Sequence, residues 1–398
     1  MQTVCWASLL SLGLMGCFCS AGYPAVEESS PVDDRLVSAN TSFGFNLFEK
    51  LVERNPDGNT FVSPASIAMA LAMTYNGANG DTQEAMAKTL ELQGMSLEEV
   101  NQASAALMER LKNLGDDVLL NIANSLWARE GEEFKADFLK RNRDFYQAYI
   151  DNLDFDDPKA ASVINAWVKE KTQGKIEDMV NEIPKGVILY LINAVYFKGI
   201  WGIEFNEEYT KERDFTLLDG SKKKVPMMMA SSKGFRAFMG QEFDAVALPY
   251  GDGKVSMYIF VPHRESSLKE FYRELNAGSW EGWIPQLRQQ EIILIMPRFK
   301  LEYDVKLNDA LAELGMGMAF GKGANFEGMC PGGGVWIDEV KHKTYLEVNE
   351  KGTEAAAATS VRMKKGPATY VHVDRPFFCA IRDNETGAVL FMGSIVEP

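Results

Sequence analysis

This chain is short of basic residues. Its 41 lysines and arginines face 56 aspartates and glutamates, a formal charge of −15 over 398 residues. Nucleic acid is therefore not an expected partner, because phosphates need a basic face. Histidine is scarcer still: His263, His342 and His372 are the only three, far apart and without the spacing of a metal site. Three of the 5 cysteines, Cys5, Cys17 and Cys19, fall at the amino terminus, and Cys330 and Cys379 alone make no disulfide framework. The chain has no Walker loop, no G-x-S-x-G elbow, no H-E-x-x-H and no C-x-x-C pair. Gly315-Met316-Gly317 opens like a dinucleotide fingerprint, but the third glycine is misplaced and no strand is expected before it. No cofactor is implied. No repeat, low-complexity tract or Pro/Gly-rich linker divides the chain, and a hydrophobic content of 46% supports one sizeable core.

What is present begins with a leader. The apolar stretch 4–18 is short for a membrane span and sits where a signal peptide would. Leu14-Met15-Gly16-Cys17 has the form of a lipobox, which would put a lipid anchor on Cys17; cleavage after Ala21 is the alternative. Both imply export, to the cell envelope or the medium. Residues 1–21 are then the leader, 22–40 (with Pro24 and Pro31) a polar tether, and 41–398 the domain. Asn40-Thr41-Ser42 and Asn384-Glu385-Thr386 match glycosylation sequons.

Helical signals fill the first third. Ser63 stands as an N-cap before Pro64, with Gly77 past the helix end. Asp81 with Glu84, and Ser96 with Glu99, have capping-box spacing. Asp157-Pro158 opens a helix that Gly174 closes. Lys135, Lys140, Arg141 and Arg143 read as a solvated helix face. Strand signals follow: 118–128, 187–197, 255–262 and 292–297 are apolar runs too uniform for a sheet wetted on one side. The runs 243–249 and 255–262 flank Gly251-Asp252-Gly253 and should pair. Further strands are expected at 368–373 and 389–395, and a late helix over 305–314. Helices first and mostly sheet afterwards predict an α+β fold.

One stretch resists these categories: EVNEKGTEAAAATS, Glu347 to Ser360. An acidic strand end leads into it, no turn residue follows Gly352, and no apolar face appears at helical spacing. Period 2 does fit. Thr353, Ala355, Ala357, Thr359, Val361 and Met363 share one face; Glu354, Ala356, Ala358, Ser360, Arg362 and Lys364 share the other. A strand with such small side chains could slip between two existing strands. The run resembles the proximal hinge of a serpin reactive loop. Three more motifs carry that resemblance between about Phe43 and Pro398: FVSPASIAMALAMTYNGANGDT (61–82), LINAVYFKGIW (191–201) and VHVDRPFFCAI (371–381).

The resemblance implies three β-sheets, eight or nine helices, and an exposed loop over about 352–374. Its hinge would comprise Glu350, Gly352, Thr353, Glu354, Ala355, Ala356, Ala357 and Ala358. Ser63, Ser66, Asn193 and His342 would form the shutter under the middle of the main sheet, re-pairing when the sheet opens. Trp201 would stand at the breach, where the loop first enters. Without the resemblance, Ser63 is a helix cap, Asn193 a buried strand residue and His342 a satisfied core histidine.

The activity implied is suicide inhibition of a serine protease: the loop is cut, then inserted as a strand while the acyl-enzyme is trapped. Counting forward from the hinge puts the reactive residue at Gly366; counting back from Arg375-Pro376-Phe377 puts it at Lys365. A Lys365–Gly366 bond is the better substrate, since it offers a long cation to an acidic pocket, and a trypsin-like target follows. Heparin, which some serpins bind through a basic helix, is not an expected partner, because 97–114 sets Glu98, Glu99 and Glu109 against Arg110 and Lys112. A monomer is expected. Two rivals stand: a non-inhibitory serpin acting as carrier or chaperone, and a hydrolase using Ser63 or Ser66 with His342.

Overall fold

Nine helices and three sheets order the described residues of the computed structural model, 31–332, 334–353 and 369–398. Helices come first: α1 (Asp34–Arg54), α2 (Pro64–Tyr75), α3 (Gly80–Thr89), α4 (Leu97–Lys112), α5 (Ala136–Tyr146) and α6 (Ala160–Lys171). Only β1 (Thr60–Val62), β2 (Val118–Arg129) and β3 (Tyr149–Leu153) fall among them. Strands then take over, with β4 (Leu189–Ile200), β5 (Lys211–Thr216), β6 (Lys222–Ser232), β7 (Arg236–Met239), β8 (Phe243–Tyr250) and β9 (Val255–Pro262). Next are α7 (Leu268–Glu274), α8 (Ala277–Trp283), β10 (Arg288–Gln289), β11 (Ile292–Pro297), β12 (Phe299–Lys306) and the single-turn α9 (Asn308–Leu311). The order closes with β13 (Glu339–Val348), β14 (Gly352–Thr353), β15 (Thr369–His372), β16 (Phe377–Asp383) and β17 (Val389–Ile395). The α+β expectation holds.

The strands form a seven-stranded sheet β1-β17-β16-β9-β8-β7-β10, a four-stranded sheet β15-β11-β6-β5, and a sheet β12-β13-β4-β2-β3 in which β14 also pairs β4. The uncharged sequence of α2 has no polar face to present to water, and every residue of the helix is buried. On β4 the side chains alternate. Leu189, Leu191, Val195 and Phe197 join the main core, while Tyr190, Ile192 and Tyr196 join a second cluster beneath α6.

The structure corrects several local expectations. The tether does not run to residue 40: Asp33 caps α1, and Leu36, Val37, Ala39 and Asn40 are buried. Burial places Asn40 out of reach of a glycan. Asn384 instead spends its amide on Gly253 O and Ser256 Oγ, both at 2.8 Å. The Ser96–Glu99 capping box forms, whereas α3 starts one residue before Asp81, with Asn79 at its cap. Arg141 is not a solvated cation, because it donates to Asn76 O at 3.1 Å. The late helix begins only at Asn308, since Val305 and Lys306 finish β12 opposite His342 and Lys341.

Candidate functional site

The site is where the chain leaves β13, turns, and comes back as β14. Asn349 N–H donates to Gly352 O at 2.9 Å, and Gly352 N–H returns a bond to Asn349 O at 3.2 Å. Gly352 has φ +144, and a Cβ there would lie 2.1 Å from Gly199 O, so only glycine can make this turn. β14 pairs antiparallel with β4, Gly352 opposite Ile200 and Thr353 opposite Gly199. Because β2 takes the other edge of β4 at Gly199, β14 lies on the side facing β13.

That placement matters because β13 and β4 are parallel neighbours, paired from Glu339/Tyr190 to Tyr345/Tyr196 and no further. Beyond Tyr345 the two strands part, and β14 stands at the opening. A strand continuing β14 between them would run antiparallel to both. One parallel ladder would become two antiparallel ones, which are slightly more stable per residue.

Hydrogen bonds and aromatic packing hold this corner. The Thr353 side chain is fully buried, with its hydroxyl 3.0 Å from the Tyr250 hydroxyl. Tyr250 stacks on Trp201 with ring centroids 4.3 Å apart. Burial raises the Tyr250 phenol pKa, and the bond to Thr353 offsets part of the shift. Trp201 donates its indole N–H to Asn349 O at 2.9 Å and its backbone N–H to Lys351 O at 3.0 Å. Glu350 is buried with its charge, which Arg298 Nε meets at 2.6 Å from both carboxylate oxygens. The Thr210 hydroxyl also donates to Glu350.

Lower in the same sheet, Asn124, Asn193 and His342 stand opposite one another across β2, β4 and β13. Asn193 donates through Nδ2 to Ser66 Oγ at 2.5 Å and to Asn124 Oδ1. Its Oδ1 accepts from His342 Nδ1, while His342 Nε2 accepts from the Ser63 backbone N–H at 3.1 Å. That assignment fixes the tautomer: the proton is on Nδ1. Burial lowers the imidazole to about 3, so it is neutral. Ser63 holds the N-cap position, yet its hydroxyl does not cap α2; it donates to Leu390 O at 2.6 Å. Neither serine hydroxyl is bonded to the imidazole, both of whose nitrogens are occupied. The Ser–His nucleophile has no basis in this geometry. The polar row instead bridges the parallel pair β4 and β13.

Glu354, Ala355, Ala356, Ala357, Ala358, Lys365, Gly366 and Cys17 lie outside the described residues. Within them, Glu350, Gly352 and Thr353 come together with Trp201, and Ser63, Ser66, Asn193 and His342 form one network. Arg298, Thr210, Tyr250 and Asn124 join these groups without any motif to announce them. Among the described residues no helix is long and apolar enough to cross a membrane, and no cluster of His, Cys, Asp or Glu could hold a metal.

A sheet whose parallel pair β13–β4 opens at one end, with a returning strand seated at the opening and a polar row across the pair, is arranged to take a further strand. The chain belongs to the serpin family: the model described as Serpin (serine protease inhibitor) matches residues 38–398. It is 35% identical over 377 residues to Serpin B6 of Macaca fascicularis, covering 92% of this chain and 100% of that protein. To the leukocyte elastase inhibitor of Bos taurus it is 35% identical over 382 residues, again covering 92% and 100%. Among solved structures it is similar to tengpin, a thermophilic serpin in its native state, with a TM-score of 0.86, 31% identity, and 93% of this chain and 96% of that chain covered.

Proposed function

We propose that this chain traps a serine protease of trypsin-like preference, using Lys365 as the bait, and that it does so as an exported monomer. The observation that carries the reading is β14, already antiparallel on the open edge of β4. Extending its register sets 352–363 along the 12 residues of β4, down to Leu189. Thr353 faces the core, so Ala355, Ala357, Thr359, Val361 and Met363 would follow it inward. Thr359 then arrives opposite Asn193, offering a hydroxyl where the His342 contact is lost.

Attack on Lys365 forms an acyl-enzyme, and the freed strand enters the sheet before water can release the protease. About a dozen ladder hydrogen bonds at ~1 kcal/mol net each supply on the order of 10 kcal/mol. A typical domain is held by about 5–15 kcal/mol in all, so insertion can distort the trapped active site. The leader supports export, with Cys17 as lipid acceptor or cleavage after Ala21.

Incubation with trypsin tests the reading. An SDS-resistant complex is expected, together with a released peptide beginning at Gly366. A peptide beginning at Pro367 or Lys365 would move the bond by one residue. Clean cleavage without any complex would favour a carrier or chaperone role instead.

A further inference from the structure

One face of β4 lies against the second apolar cluster, where Ile176, Met179 and Val180 pack with Tyr190, Ile192 and Tyr196. These three belong to the segment 172–187 that leads from α6 into β4. Two attachments make it part of the β4 side. Asn165 of α6 donates to Val180 O at 2.7 Å and accepts from the N–H groups of Met179 and Val180 at 2.9 and 2.8 Å. The segment also continues directly into β4, so it must travel with that strand.

Its attachments to β13 are of another kind. Lys341 Nζ donates to Met179 O at 2.7 Å and Lys343 Nζ to Asp178 O at 3.0 Å. Lys175 Nζ sits 5.4 Å from the ring centroid of Tyr345, the one β13 residue in the apolar cluster. On its far side Lys341 also meets Asp304 of β12 at 3.6 Å. Apolar packing thus binds the segment to β4, whereas cations reaching across the parallel pair bind it to β13.

We propose that Lys341 and Lys343 are positioning residues for strand insertion: their ammonium groups latch the 178–179 backbone, which moves with β4, onto β13. The sheet cannot part without breaking both bonds, so the latch slows insertion in the uncut protein and sets how insertion competes with deacylation. The inference rests on the insertion reading above.

The test is uptake of a synthetic peptide of sequence 352–364 by the intact protein, followed alongside the stoichiometry of trypsin inhibition. Lys341→Met with Lys343→Met keeps the apolar stems and removes the donors. Peptide uptake should be roughly three- to tenfold faster, as expected for loss of partly exposed charge-assisted bonds. Arginine at both positions should restore the parent rate. Melting curves confirm folding first, and the two single methionine variants serve if the double one does not fold. Lower melting temperature with unchanged uptake would mean a merely structural role and would overturn the proposal. If the parent takes up no peptide and forms no complex, the insertion reading falls and the latch with it.

Discussion

His342 shows how a single buried group can make the sheet sensitive to pH. Burial lowers it from its ordinary 6.5 to about 3, so between those values the unfolded chain binds a proton that the native state refuses. Stability therefore falls as pH drops through about 6.5 toward 3 and is unaffected by this group above it. The loss reaches ~2 kcal/mol at pH 5. Between pH 7 and 5 the parent should lose more melting temperature than His342→Gln, and equal slopes would put the sensitivity elsewhere. At this scale the sequence reveals Ser63, Ser66, Asn193 and Trp201 through the motifs that hold them, and His342 through the family resemblance alone. It does not reveal their partners. Arg298 meets Glu350 from 52 residues away, Asn124 meets Asn193 from 69, and Tyr250 meets Thr353 from 103. No linear pattern marks a polar group whose partner is so distant.

Among the elements, the decisive one is the two-residue β14. Its Thr353 points into the core beside Tyr250, as period 2 requires, and Glu354 should then face outward on entering the sheet. Thr353→Arg would force a cation into this buried corner, so insertion should lag behind deacylation and the inhibitor should become a substrate cut at the same bond. Glu354→Arg should change the partition little. Gel analysis of complex against cleaved product decides it; equal trapping by Thr353→Arg and the parent would end the hinge argument. Apolar runs made β4, β8, β9, β11 and β17 legible in the sequence. β13 was harder because its inward face carries His342 and Thr344 among the apolar groups. β12 alternates cleanly only at its start, where Phe299 and Leu301 are buried, and its polar end passes for the beginning of a helix. No motif marks the outward lysines of β13, two of which bond the backbone of 178–179.

For the whole molecule the question is whether the structure is the most stable arrangement of its own chain. On the insertion reading it is not. The parallel pair β13–β4 is open at one end, β14 is seated there in the orientation that would continue between them, and a strand-length segment follows. While the loop is uncut, its far end is tied to β15, which pairs with β11 in another sheet. Cleavage removes that tether. Nicking an ordinary exposed loop leaves a fold unchanged or weaker, whereas here it should release a strand that gains two ladders and buries Val361 and Met363. The measurement is the melting temperature of the protein before and after a single cut at Lys365–Gly366. A marked rise on cleavage is the predicted result. An equal or lower melting temperature after the cut would contradict strand insertion.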